Sequence, residues 1–220
     1  VPAANPSSFV GSGHVNLGNP EELQITGDQT IEMWLKPHNF SARRNPYNKA
    51  YGGTGTITQE TSGKVHYYWG TSGGNGSPYQ GFLTGDALNL NEWNHIAIVR
   101  DITNNQLRWY VNGSLSSTTT PNYSSATAGS NPIYIGDGYT NGYDGEIDEV
   151  RIWNVARTTS EIQNNLGKTI DPSTSGLVAY YRMDGSTSGV GDLVADFTSN
   201  NNNGDFQSGG PDRIDSDAPI

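Results

Sequence analysis

The feature that most constrains the fold of this chain is the alternation of apolar and polar residues along short segments. Ile31, Met33 and Leu35 are separated by single residues of a different kind, as along a strand that buries one face. Residues 93–101 and 106–113 form two more segments of this type, joined by a short turn rich in Thr and Asn. The pattern predicts an antiparallel hairpin within a protein built mainly from strands.

Gly, Pro and Asn residues, which favour turns, divide the rest of the chain into further short segments. Residues 38–53 and 70–81 break the alternation and are predicted to be long loops. Thr158 and Glu161 have capping-box spacing ahead of Ile162, which predicts one short helix. The other predicted strands are residues 14–18, 23–37, 55–60, 64–70, 131–138, 145–153 and 176–183. Together these elements predict an all-β fold, a two-sheet antiparallel β-sandwich or jelly roll with one short helix.

Composition and charge narrow the class of protein. The 220 residues are 33% hydrophobic and 15% charged, which fits one polar β domain over residues 1–220 with linker-like ends at about 1–8 and 208–220. A net charge of −10 argues against nucleic acid or an anionic membrane as the partner. The absence of cysteine excludes disulfides and zinc–thiolate sites. No apolar run is long enough to predict membrane insertion.

An ordered set of segments resembles the laminin-G-like, concanavalin A-like jelly-roll domains. The segments are HVNLG (14–18), TIEMWLKP (30–37), EWNHIAIVRD (92–101), WYVNG (109–113), IYIGDG (133–138) and GEIDEVRIWNVARTTSEI (145–162). The resemblance implies a sandwich with one concave face and binding loops at its rim. It also implies carbohydrate or protein binding, often with Ca²⁺, and some members of the wider superfamily are glycosidases.

The acidic run Glu146-Ile147-Asp148-Glu149 raises the question of glycoside hydrolysis. Related endoglucanases carry their carboxylates on one face of a strand, and a retaining pair must lie roughly 5–5.5 Å apart. Under strict alternation Glu146 and Asp148 share a face, Glu149 points the other way with Ile147, and no partner completes the pair. We therefore expect a non-catalytic protein in which these acids are held by arginines. The candidate partners on neighbouring strands are Arg100, Arg108 and Arg182.

Sugar-binding residues are expected in loops that combine aromatic rings with amides and charges. Three loops have this mixture, and the preferred one is GDGYTNGYDG at 136–145. Its candidates are Asp137, Tyr139, Asn141 and Tyr143. The loop at 41–53 contributes Arg44, Tyr47, Asn48 and Tyr51, and the segment 67–81 contributes Trp69 and Tyr79.

Acidic oxygens in the preferred loop are also candidates for a metal. Ca²⁺ takes six to eight oxygen ligands and tolerates irregular geometry, so Asp137 or Asp144 with backbone carbonyls could hold it. The spacing of these residues does not complete an EF-hand, because Tyr139 occupies a position that needs an oxygen ligand. Calcium is therefore an expected cofactor, with Asp137 and Asp144 as its candidate ligands.

The sequence is best interpreted as a lectin-like module that binds glycans through its rim loops. Its acidic, Cys-free character resembles ligand-binding domains of bacterial adhesins, which implies an extracellular or cell-surface, bacterial protein. We expect a monomeric module within a longer chain, recognising cell-surface sugars that contain fucose or galactose. The first alternative is a protein-interaction or spacer domain, and the least favoured alternative is a glycoside hydrolase.

Overall fold

The alternating segments form the strands of two antiparallel sheets. The structure, a computed structural model, describes residues 7–9, 13–183, 189–207, 212–213 and 218–220. The strands in this part of the chain are β1 (Ser7–Phe9), β2 (His14–Asn16), β3 (Gln29–Pro37), β4 (Arg44–Ala50), β5 (Gly55–Gln59), β6 (Val65–Gly70), β7 (Tyr79–Leu83), β8 (Asn94–Asp101), β9 (Gln106–Val111), β10 (Ser114–Thr119), β11 (Tyr134–Ile135), β12 (Gly145–Trp153), β13 (Leu177–Tyr181), β14 (Leu193–Val194), β15 (Gly204–Gln207) and β16 (Asp212–Arg213). A 3₁₀ turn (Glu21–Leu23) and one α-helix, α1 (Thr159–Asn165), complete the elements described.

Among the residues that the structure describes, each sheet contains eight strands. Sheet A has the order β10-β9-β8-β3-β12-β1-β16. Its eighth strand, β13, pairs with residues 150–153 of β12, whereas β1 pairs with residues 145–147 of the same strand. Sheet B has the order β14-β15-β2-β11-β4-β5-β6-β7. The two-sheet antiparallel sandwich with one short helix is therefore confirmed. No helix in the described part of the chain is long and apolar enough to cross a membrane.

The main core lies between the two sheets. Ile31, Met33 and Leu35 face inward from sheet A, as the alternation predicts, and are fully buried. They belong to the same apolar cluster as Tyr67 and Trp69 from sheet B. Such facing layers of apolar side chains are what hold two sheets together.

Arg100 is buried in this core, where sheet B and the loop before β3 satisfy its hydrogen bonds. Its guanidinium donates to the carbonyl oxygens of Ile25, Gly27 and Thr54 at 2.6–2.8 Å and to the Tyr67 hydroxyl at 3.0 Å. Arg100 is therefore committed to holding loops to the core. The prediction that it would pair with an acid of residues 146–149 is wrong.

A β-bulge in β12 changes which side chains face the core. Pairing with β3 is regular up to Asp148 and resumes at Arg151, one residue out of step. Glu149 supplies the extra residue and has a φ of 50°, in the left-handed region. Val150 consequently points into the core together with Ile147. Strict alternation had put these two residues on opposite faces, and the bulge is the reason that this prediction was wrong.

The outer face of sheet A is covered by α1 and by the segment that follows it. Ile162 of α1 packs against Ala97, Val99 and Tyr110 in a second apolar cluster. The helix begins where the sequence predicts, because Thr158 and Glu161 form the capping box. The part of the outer face of sheet A around Tyr110 is therefore covered by the chain itself.

Two predicted loops contain strands of sheet B. The segment predicted as a loop at 38–53 includes β4, and β7 begins at Tyr79 inside the second predicted loop. The sequence of β4 is polar and contains Pro46, but the pairing of β4 with β5 is irregular between Arg44 and Tyr47, and proline is tolerated at such a position.

The predicted linker-like ends also contain paired residues. Ser7 and Ser8 pair with β12 on one side and with β16 on the other. Residues 7–8 and 212–213 of these ends thus belong to sheet A.

Candidate functional site

Four tyrosines gather on the outer face of sheet B. Tyr68 and Tyr79 come from the adjacent strands β6 and β7, Tyr51 follows β4, and Tyr139 lies in the loop between β11 and β12. Ring centroids of Tyr51 lie 4.6 Å from Tyr68, 6.1 Å from Tyr79 and 5.6 Å from Tyr139. Tyr68 and Tyr79 are 5.8 Å apart. We call these four residues the tyrosine cluster.

The cluster has a buried floor and exposed sides. Tyr51 at its centre is only 5% exposed, whereas Tyr79 is 42% and Tyr139 is 69% exposed. The Tyr51 hydroxyl shares a 3.0 Å hydrogen bond with the hydroxyl of Thr58 on β5, which fixes the floor to the sheet. Two accessible rings therefore flank a fixed one, an arrangement that presents apolar ring faces beside hydroxyl groups.

A polar group of three side chains borders Tyr68. Arg43 donates to both carboxylate oxygens of Glu60, from Nε at 2.8 Å and from Nη2 at 3.1 Å. The same Nη2 donates to the Tyr68 hydroxyl at 3.0 Å. His66 stacks on Tyr68 with ring centroids 4.1 Å apart, and its Nδ1 lies 3.2 Å from Glu60 Oε1. Charged and aromatic groups therefore share one surface.

The surroundings shift the pKa values of Arg43, His66 and Tyr68. The hydrogen bond with Glu60 raises the pKa of Arg43. Burial lowers the pKa of His66, against the opposing effect of Glu60, so the imidazole is neutral at pH 7. Burial raises the pKa of Tyr68 to about 12, so its hydroxyl stays protonated. At neutral pH the polar group therefore carries one positive and one negative charge.

Tyr139 owes its position to the anchoring of its loop on β4. The Asn45 Oδ1 accepts hydrogen bonds from the backbone N–H of Thr140 at 2.9 Å and from its hydroxyl at 2.7 Å. Asn141 donates from its side chain to the Arg43 carbonyl at 2.9 Å. Gly138 lies so close to β4 that an added Cβ would come within 2.6 Å of Asn48 Cβ. The loop is thereby held over the strand, with Tyr139 against Tyr51.

The glycine-rich segment after β6 supports the other side of the cluster. The backbone N–H of Tyr51 donates to Asn75 Oδ1 at 3.2 Å. The Ser72 hydroxyl donates to the Gly76 carbonyl at 2.6 Å, closing the segment on itself. Gly52 also pairs with it, through its N–H to the Gly74 carbonyl at 2.8 Å. This loop therefore fixes the backbone on both sides of Tyr51.

Three of the predicted sugar-binding residues meet in the cluster, and three lie in the core. Tyr51, Tyr79 and Tyr139 come together from three separate segments, as described above. In contrast, Tyr47, Trp69 and Tyr143 are 0–2% exposed, and all three belong to the main apolar cluster. A sugar at the surface could not reach them, so their assignment as sugar-binding residues is wrong. Tyr47 and Trp69 face inward because alternation along β4 and β6 sends them between the sheets.

The other four predicted sugar-binding residues lie in or beside the loop at 136–145, and they are Arg44, Asn48, Asn141 and Asp137. Arg44 donates to the Gly142 carbonyl at 2.7 Å and is half-buried. Asn48 is 5% exposed beneath Gly138, and Asn141 supports the loop backbone. Their contacts support loop structure, and any sugar contact they make stays a prediction.

Sequence reasoning missed the residues beside the tyrosines. Glu60 and His66 lie outside the predicted sugar-binding segments, whereas Arg43 and Tyr68 lie within the segments 41–53 and 67–81 but were not selected as site residues. The signal for Tyr68 was present in the run Tyr67-Tyr68-Trp69, because two inward rings at alternate positions leave the middle ring outside. Glu60 and His66 had no comparable signal, since only the pairing of β5 with β6 brings them together.

The two predicted metal ligands occupy different environments. Asp137 lies 3.5 Å from His14 Nδ1 and accepts a hydrogen bond from the N–H of Gly138. Asp144 is bonded to the Asn39 amide and lies 3.7 Å from both Arg44 and His38. Within the described residues, no three His, Asp or Glu side chains converge in a way that could hold a metal ion. These donors do not fit a common calcium site, and calcium binding by either aspartate stays a prediction.

The acidic run is built into sheet A, away from the tyrosine cluster. Glu146 is 5% exposed and lies 3.1 Å from His38 and 3.4 Å from Lys36. Glu149 is buried and bonded to Arg151 at 2.5 Å and to the Tyr180 hydroxyl.

The arginines that pair with acids are only partly those predicted. Arg182 Nε lies 3.7 Å from Glu149, as one of the predicted partners, but Arg151 makes the closer contact. Arg108 instead pairs with Asp101 at 2.9 Å. The prediction that arginines hold these acids is therefore right for Glu149, with Arg151 the main partner.

Comparison with known proteins places this geometry in context. Residues 9–163 match the Laminin_G_3 family, described as the concanavalin A-like lectin/glucanases superfamily. No curated protein sequence matches the chain. Among solved structures, a proposed carbohydrate-binding protein from Bacteroides ovatus superposes with a TM-score of 0.79 at 22% identity. That match covers 100% of this chain and 62% of the other, so the chain spans less than two thirds of its length.

Two further solved structures contain bound saccharides. Domain 4 of an extracellular arabinanase from Geobacillus stearothermophilus, in complex with arabinotriose, has a TM-score of 0.53 at 21% identity, covering 67% of this chain and 70% of that one. The CBM40 domain of a Ruminococcus gnavus sialidase, bound to α2,3-sialyllactose, has a TM-score of 0.55 at 14% identity, covering 73% and 97%. At these identities the likeness concerns the fold.

Proposed function

The chain belongs to the Laminin_G_3 family of the concanavalin A-like lectin/glucanases superfamily, and from that premise we propose that it is a non-catalytic carbohydrate-binding module. The tyrosine cluster is the proposed binding site. The observation that carries the proposal is that Tyr51, Tyr79 and Tyr139 come from three separate segments and meet at one place. Tyr51 is buried between the other two rings, which are exposed. Neighbouring folds with carbohydrate-binding descriptions support the same function.

The chemistry of the cluster suits a saccharide. A sugar ring has an apolar face that can stack on an aromatic ring, and its hydroxyls can pair with the hydroxyls of the exposed tyrosines. Sites of this kind combine apolar surface with a few placed polar groups. Because this surface is open at the sides, we expect a monovalent dissociation constant roughly in the micromolar to millimolar range.

The environment of the acidic run supports a role without catalysis. Glycoside hydrolysis needs two carboxylates that reach the same glycosidic bond. Glu149 is held by Arg151 and Tyr180 in a buried site, and the run belongs to the sheet opposite the tyrosine cluster. We propose that these carboxylates stabilise the sandwich.

A glycan array followed by titration calorimetry tests the proposal. The purified chain should bind a defined set of glycans, and Tyr79→Ala and Tyr139→Ala should each weaken the best hit about five- to tenfold, or ~1–1.4 kcal/mol. Phe197→Ala is the matched control, since that ring is 41% exposed and contacts Tyr180 on the other sheet. Unchanged melting temperatures for the tyrosine variants would separate lost binding from lost folding.

The outcomes distinguish the remaining parts of the proposal. Hits that share terminal fucose or galactose and disappear in EDTA would support a calcium-assisted lectin that binds cell-surface glycans. Hits that survive EDTA would leave the lectin and remove calcium from its function. A blank array in both conditions would contradict carbohydrate binding and favour a protein partner.

A role in adhesion outside a bacterial cell is part of the proposal. It is supported by the acidic, cysteine-free composition, which suits a calcium-rich extracellular medium. Binding of the labelled domain to intact cells, and its loss after glycosidase treatment of those cells, is the measurement that checks this role.

A further inference from the structure

We propose that the tyrosine cluster selects uncharged saccharides, because Glu60 already occupies the cation that would otherwise attract an acidic sugar. This inference rests on the proposed function and specifies the ligand class of the same site. It makes Glu60 a specificity-determining residue, although the carboxylate is not needed to stack a sugar ring.

The first part of the argument is the geometry of Arg43. A guanidinium recognises a carboxylate best through two parallel hydrogen bonds from its planar fork. In this structure the Nε and Nη2 atoms of Arg43 make that bidentate contact with Glu60, at 2.8 and 3.1 Å. The Nη2 atom also donates to Tyr68. A sialic or uronic acid carboxylate would have to displace Glu60 to gain the same contact.

The second part is the placement of the Glu60 carboxylate. Its Oε1 atom lies within 3.4 Å of Arg43, His66 and Tyr68, so the negative charge is held beside the tyrosine cluster. Because His66 is neutral at pH 7, it adds no positive charge to the Arg43–Glu60 pair, in which the two charges cancel. An incoming carboxylate would therefore face a like charge at close range without gaining a free cation, which suppresses binding.

The other cations around β4 are similarly committed. Arg44 points to the Gly142 carbonyl at 2.7 Å and to Asp144 at 3.7 Å. Lys49 donates to the Asn131 carbonyl at 2.8 Å and is buried. The whole chain carries a net charge of −10, so its long-range field also disfavours anions. The binding free energy of an uncharged sugar is not reduced by this electrostatic repulsion.

The experiment is a glycan array with matched pairs that differ in a carboxylate. Lactose is paired with 3′-sialyllactose, and methyl-esterified oligogalacturonides are paired with the free acids, alongside other neutral, sialylated, uronic and sulfated glycans. We expect the hits of the natural chain to be uncharged and to bind at least about tenfold more tightly than their acidic counterparts.

Glu60→Gln is the decisive variant, because it keeps the shape and removes the charge. We expect it to bind the acidic counterparts of the hits at least about tenfold more tightly than the natural chain does. Glu60→Asp, which keeps the charge, should continue to reject them. Thermal melts of both variants establish that they are folded at the assay temperature.

Two results would overturn the inference, and one would overturn its premise. Acidic glycans bound by the natural chain as tightly as their neutral counterparts would show that Glu60 does not exclude them. Continued rejection of acidic glycans by folded Glu60→Gln would show that another group is responsible. Absence of binding to every glycan would instead contradict the proposed function itself.

Discussion

Trp153 shows how a single residue links the strands of sheet A to the ion pairs on its outer face. The indole is fully buried and its Nε1 donates to Glu32 at 2.7 Å. The guanidinium of Arg157 lies 3.9 Å above the ring, within the range of a cation–π contact. Removing the ring therefore leaves both a cavity and a buried carboxylate with one donor fewer.

We expect Trp153→Ala to lower the free energy of unfolding by ~3–5 kcal/mol, the usual cost of truncating a large buried aromatic. Urea denaturation monitored by far-UV circular dichroism measures this loss. Trp93→Ala is the matched control, because Trp93 is only partly buried and should lose clearly less. Equal losses in the two variants would contradict the assigned role of Trp153.

At the scale of elements, α1 is the part of the chain whose position was most directly predictable. Its capping box depends on residues three apart in sequence, so the signal was local. The Thr158 hydroxyl accepts from the Glu161 N–H at 3.3 Å, and Glu161 Oε2 accepts from the Thr158 N–H at 2.8 Å. Because the helix is only seven residues long, its stability depends on this cap and on Ile162.

We expect Thr158→Ala to cost ~1 kcal/mol of stability, since it removes the side-chain acceptor of the cap. Ser160→Ala is a suitable comparison, because Ser160 is an exposed residue of the same helix. Chemical denaturation of both variants gives the difference. Because alanine has a higher helix propensity than serine, Ser160→Ala should not lose stability, and a loss as large as that from Thr158→Ala would contradict the assigned role of the cap.

The errors in the predicted elements share a physical cause. β4 was predicted as a loop because its residues are polar, but Asn45 satisfies its own side chain by donating to the Ile57 carbonyl at 3.1 Å and to Thr58 at 2.9 Å. The bulge at Glu149 was likewise invisible, since it requires a left-handed backbone at a residue other than glycine. Both features depend on contacts between strands that are distant in sequence.

At the scale of the whole molecule, the fold was more predictable than the proposed binding site. Alternation along β3, β8 and β9 identified strands of sheet A, because the residues that face the main core are apolar at every second position. The sequence signal for the tyrosine cluster was weaker, because its four members come from four segments that meet only after sheet B forms. Each predicted loop contained aromatic residues that could bind a sugar. Whether such a ring is accessible depends on the face of the sheet to which it points, and the loop sequence alone does not give that direction.

The whole molecule should lose stability in acid in two stages. Burial lowers the pKa of His66. Burial alone would raise the pKa of Glu32, but His95, Arg151 and Arg157 leave it lowered. For Glu161, hydrogen bonds from Thr158 outweigh burial and also lower the pKa.

A lowered pKa in the folded state means that the unfolded chain binds more protons, so stability falls as the pH falls. The contribution of His66 should be lost below its unfolded value near pH 6.5, and those of the two glutamates below about pH 4.5. Urea midpoints measured from pH 7.5 to pH 3.5 check this expectation. His66→Gln should remove part of the first decline and leave the second, whereas an identical profile would show that His66 does not contribute.

The pairing of β1 with β16 determines how the molecule would respond to tension. Ser7 pairs with Arg213 and Ser8 with Asp212, so the chain enters β1 and leaves β16 at the same end of this two-strand ladder. A force that pulls Ser7 and Arg213 apart would load these hydrogen bonds one after another, as in opening a zipper. Because β1 and β16 lie at the edge of sheet A, yielding under this load would begin there, with the tyrosine-bearing strands of sheet B still in place.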